Sequence, residues 1–336
     1  MVWHFMDKKN NTALLVMAFN RPKTTEQQLG RIQDLSKRNI HISIDGPRNT
    51  QDEEKCLAVR KITEAWAAKS HHKVSITSEN TNLGLHRHFM KAFSAFFSNY
   101  DFGMVLEDDI EFRNSFVDFI DQIHETRIYR DYWSIQGHNP LDEGHNGFLS
   151  SREIRFKKSD FHSVWGWASH SHSVERMLKF IGDSEDPNVI RASIEQGANL
   201  FTSDPILRMA IKNVWLSKLL RARSLESGGW DNWWVASAWL HQMPSLMPNV
   251  SISRETLNQR EGQSHHHTQT GISWSENQKE EVLFEKEFGN SPTSREIKLL
   301  RTWGITRPYS WFFAPRVHKQ YSNLQRKLET NVNDEI

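Results

Sequence analysis

Cysteine is almost missing from this chain: 336 residues carry one, Cys56. An internal disulfide framework is excluded, and the composition suits a reducing compartment. Charge of one sign is missing too. Lys and Arg number 42 against 41 Asp and Glu, a net charge of +1, so no overall field draws the chain to nucleic acid. Long hydrophobic runs are lacking. The apolar stretch ALLVMAF at 13–19 is too short to span a bilayer. It also lacks the basic start and small-residue cleavage site of a signal peptide. Neither an internal repeat nor a long low-complexity linker interrupts the sequence. What remains is a chain long enough for one large domain or two closely packed ones, expected in the cytoplasm.

What is there is tryptophan, 13 residues of it, which serves ordinary cores and also stacks on sugar rings. Apolar runs alternate with helical spacing through the first half. Residues 13–19 read as a buried strand closed by the turn-like FNRP at 19–22. A helix is expected from about Thr24 to Lys37, with Thr24 or Thr25 as its cap. HISIDGPR (41–48) reads as a second strand, 51–69 as a helix on Leu57, Ile62 and Trp66, and KVSITSE (73–79) as a third strand. Leu85, Phe89, Phe93 and Phe96 make one helical face. GMVLEDD (103–109) then reads as a fourth strand, with Asn114 or Ser115 capping the next helix. This alternation predicts an α/β fold with a mostly parallel central sheet flanked by helices. Ligands of such sheets sit at the carboxyl ends of the strands, where FNRP, IDG and EDD all fall. The second half is less regular: short runs over 133–170, helical spacing at 172–181, 205–223 and 232–242, a short strand within 249–256, and a polar stretch at 260–271.

Glu107, Asp108 and Asp109 raise the first chemical question. Three adjacent carboxylates at the end of a buried strand are costly to desolvate unless something positive meets them. One reading is a cation site, since Mg²⁺ and Mn²⁺ prefer oxygen ligands and keep substrate phosphates in their shell. The other is a solvated strand end with Asp109 capping the next turn; paired acids are common, so on these residues alone this reading comes first. Asp231, among three tryptophans after a glycine pair, is either a base raised in pKa by apolar surroundings or a helix cap. The SHHH run at 264–267 fits no closed zinc site and reads as a mobile loop, with Ser264 or His265 on a substrate phosphate as the alternative. Trp165 and Trp167 around Gly166 are a sugar platform or core. From 295 to 327 eight Lys and Arg face one acid, with PYSWFF inside. That stretch reads as packed helices or as a peripheral contact with anionic lipid.

Taken in order, VMAFNRP (16–22), SIDG (43–46), VLEDDIEF (105–112), VWGWA (164–168), GGWDNWW (228–234), SISRET (251–256) and GQSH (262–265) resemble glycosyltransferases of the GT-A fold. The resemblance is greatest to the family of N-acetylglucosaminyltransferase I and runs collinearly from near residue 13 to near 266. It implies a Rossmann-like GT-A sheet, with 1–130 as the nucleotide-sugar-binding half and 131–275 as a more irregular acceptor and catalytic half. Residues 276–336 would be a helical, basic-aromatic extension. Asn20 stands where that family has an acid reading uracil, and an Asn also accepts from a base N–H. Arg21, Asp45, Glu107 and Asp108 fall on donor-contacting positions. Asp109 falls on the direct ligand of Mn²⁺ or Mg²⁺, Asp231 on the catalytic base, and Ser264 on a serine in a loop that closes over the donor. Residues 183–225 look like an insertion on the acceptor side. The absence of the membrane anchor and stem of eukaryotic members makes the chain similar to a bacterial or viral cytoplasmic relative acting in polysaccharide biosynthesis.

The implied activity is a metal-dependent, inverting transfer of a hexosyl or N-acetylhexosaminyl group. The donor is a nucleotide-sugar, a UDP-sugar favoured, and the acceptor a hydroxyl of a glycan or lipid-linked glycan. The expected setting is the cytoplasm or the inner face of the membrane, through 295–327. Other classes need other features. A nucleotidyltransferase shares the sheet and the acids but uses a Gly-rich basic loop after its first strand, and FNRPKTT (19–25) holds no glycine. A non-catalytic glycan-binding module explains the tryptophans without needing both EDD and Asp231. A glycoside hydrolase needs two facing carboxylates.

Overall fold

The computed structural model describes residues 11–139, 153–203, 205–223, 229–255 and 281–284. The chain divides into two compact units, Met1–Arg176 with Met243–Phe288, and Met177–Gln242 with Gly289–Ile336. Among the described residues no helix is long and apolar enough to cross a membrane.

The first unit is built on a sheet. In chain order its strands are β1 (Ala13–Ala18), β2 (Asn39–Ile44), β3 (Lys73–Ser78), β4 (Phe102–Glu107), β5 (Ile110–Phe112), β6 (Ile135–Gln136), β7 (Glu153–Ser159), β8 (Trp167–His170), β9 (Ser245–Pro248), β10 (Ser253–Glu255) and β11 (Glu281–Phe284). Nine of them form one sheet in the order β11-β7-β9-β6-β8-β4-β1-β2-β3, and β5 and β10 pair separately. Pairs β1–β2, β1–β4, β2–β3, β6–β9 and β7–β11 are parallel. Strand β8 runs antiparallel to β4 and β6, and β7 antiparallel to β9. The helices of this unit are α1 (Pro22–Gln33), α2 (Thr50–Lys69), α3 (Leu85–Phe97) and α4 (Asn114–Thr126). The α/β class and the mostly parallel sheet expected from the alternation are present.

All six residues of β1, ALLVMA, are buried, as a strand covered on both faces requires. The edge strand β3 alternates exposed and half-buried residues, which suits an unpaired edge. The start of β1 is pinned from below. Thr12 N donates to Asp121 Oδ1 at 2.8 Å, and Arg38 Nη2 meets Asp121 Oδ2 at 3.4 Å, the two side chains only 1% and 2% exposed.

Several boundaries differ from the sequence expectation, each for a local reason. Helix α1 starts at Pro22, not Thr24, and stops at Gln33. Proline's fixed φ suits the first helical turn, so Thr24 and Thr25 lie buried within the helix. Thr25 Oγ1 donates back to Arg21 O at 2.9 Å. The cap position before α4 is Arg113, whose side chain makes no capping hydrogen bond, and Asn114 is already helical. Residues 281–284, expected in a helical extension, pair in parallel with β7; the rest of 276–336 lies outside the described residues.

The second unit is helical. It holds the end of α5 (Ser171–Asp183), then α6 (Pro187–Phe201), α7 (Pro205–Arg223) and α8 (Trp230–Leu240). Residues 183–225, read as an insertion, supply α6 and α7. Helix α8 is apolar nearly all round, and such a helix must be enclosed; Trp230, Trp233, Trp234 and Trp239 are all buried. The Trp239 ring lies 4.5 Å from Trp215 and 5.6 Å from Phe201 between centroids. It sits so close to Gly197 that any β-carbon there would enter the indole. Ser193 Oγ donates to Ala236 O at 2.6 Å and joins α6 to α8.

Candidate functional site

The chain runs from β1 out to β2 and β3 on one side, then returns to β4 on the other side of β1. The crevice of such a sheet opens at the carboxyl ends of the two strands where the order reverses, here β1 and β4. The residues that leave those ends meet. Arg21 Nη1, after β1, donates to Asp108 Oδ1 at 3.1 Å and bridges to Asp109 Oδ2. Both acids follow β4. Asp108 and Asp109 therefore do not fan into water, as the solvated reading expects: Asp108 is 5% exposed, and the Arg21 guanidinium meets both acids. Glu107, the last residue of β4, is half-buried, and its carbonyl accepts from Gln28 Nε2 at 3.5 Å.

The electrostatics of this cluster are lopsided. Burial pushes the Asp108 carboxyl well above the usual carboxylate range; Asp109 adds to the rise, while Arg21 and the Phe19 N–H oppose it. Burial alone would lower the pKa of Arg21, but Asp108 and Asp109 more than reverse this and hold it above its ordinary value. Asp108 Oδ2 is buried with no hydrogen-bond partner. Among the described residues no group of three or more His, Cys, Asp and Glu is arranged to hold a metal ion. Asp109 and the unpartnered Asp108 Oδ2 are hard oxygen donors of the kind Mg²⁺ and Mn²⁺ take, and a divalent ion there would draw its other oxygens from water and ligand phosphates.

Asn20 and Asp45 occupy the neighbouring strand ends. Asn20 Nδ2 donates to Asp52 Oδ1 at 2.6 Å. Asp45 Oδ1 accepts from Gly46 N at 2.8 Å and Leu83 N at 2.9 Å, and Oδ2 from Asn82 Nδ2 at 2.9 Å. Asp45 thus moulds the loop after β3, which lies so close that Gly46 has no room for a β-carbon against Thr81.

Strand β6 ends on the same edge, since β8 runs antiparallel to both β4 and β6. Gly137 N donates to Gly166 O at 2.8 Å, and Gly166 turns into β8 with φ +75. Just beyond, His138 Nδ1 lies 2.8 Å from Ser163 Oγ, and its ring centroid is 4.5 Å from that of Trp165. Burial pushes the His138 imidazole down to about 3, so it is neutral at ordinary pH. His138 and Asp52 are the two neighbours that sequence reading missed. The signals were present: polar residues directly after a short strand in QGHN (136–139), and Asn49 three positions before Asp52 at a helix start.

Asp231 belongs to the helical unit. It is not a cap; Gly229, left-handed at φ 102, holds that position, and Asp231 lies in the first turn of α8. Lys218 of α7, its ammonium 4.7 Å from the Trp215 ring centre, is lowered in pKa by burial, and Asp231 pulls it back up. Trp167 is core at 1% exposure, whereas Trp165 is half-buried. Ser264 and the basic stretch 295–327 lie outside the described residues.

No family model and no curated protein matches the chain.

Proposed function

We propose that the chain is a glycosyltransferase that binds a nucleotide-sugar at the carboxyl ends of β1 and β4. The observation that carries this reading is the Arg21–Asp108–Asp109 cluster at the reversal of strand order. It places one guanidinium beside acids able to share a divalent ion with a diphosphate, in the crevice where sheets of this kind take nucleotides. The Asn20, Arg21, Asp45, Glu107 and Asp108 side chains form the donor side in this reading, a UDP-sugar favoured, with Ser264 added from the resemblance alone. Mn²⁺ or Mg²⁺ on Asp109 would act as a Lewis acid on the leaving diphosphate. Asp231, in the helical unit, is added from the resemblance alone as the base that takes the proton of an acceptor hydroxyl on a glycan or lipid-linked glycan. The hydroxyl oxygen bonds to the anomeric carbon, and the bond from that carbon to the phosphate oxygen breaks. Inversion at that carbon follows from a single displacement.

Thermal melting with a panel of nucleoside diphosphates and nucleotide-sugars, each with Mn²⁺ and with a chelator, tests this. A ligand at 100 times its Kd stabilises a folded protein by about 2.7 kcal/mol. A metal-dependent rise with one nucleotide class is the expected result; no rise with any of them at millimolar concentration sinks the proposal. Asp231→Asn should keep that rise and lose transfer by about 10²- to 10⁴-fold. Asp109→Ala should lose the metal-dependent part of the rise. Equal transfer by Asp231→Asn and the parent chain removes Asp231 from the reaction.

A further inference from the structure

Three arginines of the first unit bind aspartate close to β1, and one of them does so differently. Arg38 reaches Asp121 with two nitrogens, Nη1 on Oδ1 and Nη2 on Oδ2, both at 3.4 Å. Arg48 reaches Asp52 in the same manner, Nε on Oδ2 at 2.6 Å and Nη2 on Oδ1 at 3.1 Å. Paired bonds of this kind fix a guanidinium on its carboxylate. Arg21 has no such fork. Its Nη1 alone spans two carboxylates, donating to Asp108 Oδ1 at 3.1 Å and to Asp109 Oδ2. The Arg21 side chain is 32% exposed, with space on its solvent side, whereas the two acids beneath it are 7% and 14% exposed. Its backbone is held still, since the Arg21 carbonyl accepts from Thr25 N and from Thr25 Oγ1, each at 2.9 Å. A fixed backbone and a contact through one nitrogen leave the side chain as the part that can swing.

Under that guanidinium the oxygens are arranged for a cation. Asp108 Oδ1 and Asp109 Oδ2 converge on one point, and Asp108 Oδ2 is buried with no hydrogen-bond partner. Mg²⁺ and Mn²⁺ take carboxylate oxygens of this kind. Arg21 holds the same oxygens, and a divalent ion beside it meets like charge. The two cations therefore compete. A diphosphate changes the balance, because a guanidinium fork matches phosphate oxygens with two bonds, while on these acids one nitrogen is shared.

We propose that Arg21 is a latch on the acidic pair: its guanidinium occupies the oxygens of Asp108 and Asp109 and gives them up to a divalent ion when a ligand diphosphate draws it away. This rests on the nucleotide-sugar reading and adds a coupling that Arg21 carries. The acids bind the ion poorly while latched, since the apparent affinity is scaled by the fraction of molecules with Arg21 swung out. Diphosphate and ion raise each other's affinity by the same factor.

The first experiment is titration of the full chain with Mn²⁺ alone, the free ion being read by electron paramagnetic resonance. Mildly alkaline buffer keeps an acid that has lost its guanidinium ionised. R21Q should bind Mn²⁺ about tenfold tighter than the parent or more. K23Q removes the same charge two residues on, from a side chain that is exposed and in no ion pair among the described residues; its affinity should stay within about threefold of the parent. The second experiment needs no variant and keeps the test open if R21Q does not fold. Phenylglyoxal modification of Arg21 in the parent chain, followed by peptide mass, should be speeded by Mn²⁺ and slowed by uridine diphosphate without metal. Parental Mn²⁺ affinity in R21Q, an equal gain in K23Q, or modification indifferent to Mn²⁺ overturns the latch; if uridine diphosphate still protects Arg21, the nucleotide reading stands. Tighter Mn²⁺ binding in R21Q without protection by uridine diphosphate overturns the diphosphate half of the latch and the nucleotide reading with it.

Discussion

Two arginine–aspartate clusters stand at the two ends of the same strand. Before β1, Arg38 and Asp121 are sealed at 1% and 2% exposure, and Asp121 also accepts the Thr12 N–H. After β1, Arg21 is 32% exposed over Asp108 and Asp109 at 7% and 14%, and Asp108 keeps a buried oxygen with no partner. The chemistry is the same and the completeness differs. A fully satisfied ion pair with no path to solvent fixes a strand entry. An open one with a spare acceptor can exchange its partner for a ligand or cation, which is why it serves as the candidate site. Buried charge by itself says neither; the accounting of lone pairs and access decides.

The comparison can be broken by substitution. Asp121→Ala should have the largest effect on stability, a loss of about 3–5 kcal/mol, because it leaves the Arg38 charge buried and alone. Denaturant unfolding measures this, and nucleotide response should persist in whatever remains folded. If Asp121→Ala unfolds at the parental midpoint, the sealed cluster is not scaffold. Arg21→Gln should cost less in unfolding, about 1–3 kcal/mol, since Asp108 can take up a proton. It should also lower nucleoside diphosphate affinity tenfold or more, about 1.4 kcal/mol. Equal ligand affinity in Arg21→Gln and the parent would make the two clusters alike.

The smallest effect sharpens the contrast through pH. Asp108 has a folded pKa raised from 3.8 to about 7. The folded state then binds more protons than the unfolded state between those values, so this residue's contribution to stability falls as pH rises through that window. Asp52 is the reverse case, lowered from 3.8 to about 2; its contribution is present above the upper value and is lost as pH falls toward the lower. Asp108→Asn should therefore gain on the parent chain as pH rises from 4 toward 7, and Asp52→Asn should flatten only the acid limb. Melting temperatures across pH check both. A constant offset between Asp108→Asn and parent would mean that Asp108 is not held above its ordinary range.

Much of the sheet could be read directly. ALLVMA, NIHISI and KVSITS are short β-branched or apolar runs between turn residues, and each is a strand. Boundaries were less legible where two local rules competed, as at Pro22 against the capping preference of Thr24. The acids at 107–109 were visible as a problem, but their answer was not. Arg21 lies far from them in sequence, and nothing in FNRP announces which carboxylate its guanidinium will meet. Asp52 was legible as a capped first-turn acid of a helix, but its contact with Asn20 was not, since only folding brings the two together.

By itself, then, the sequence determined the alternation of elements, and with it the edge on which chemistry-bearing residues would gather, because side-chain periodicity and turn chemistry act over a few residues. Tertiary structure alone decided the pairings across that edge. Which acid is sealed, which keeps a spare oxygen, and which amide is turned by a carboxylate depend on distances between strands that are far apart in the chain. Local physics carries no information about those distances until the sheet has closed.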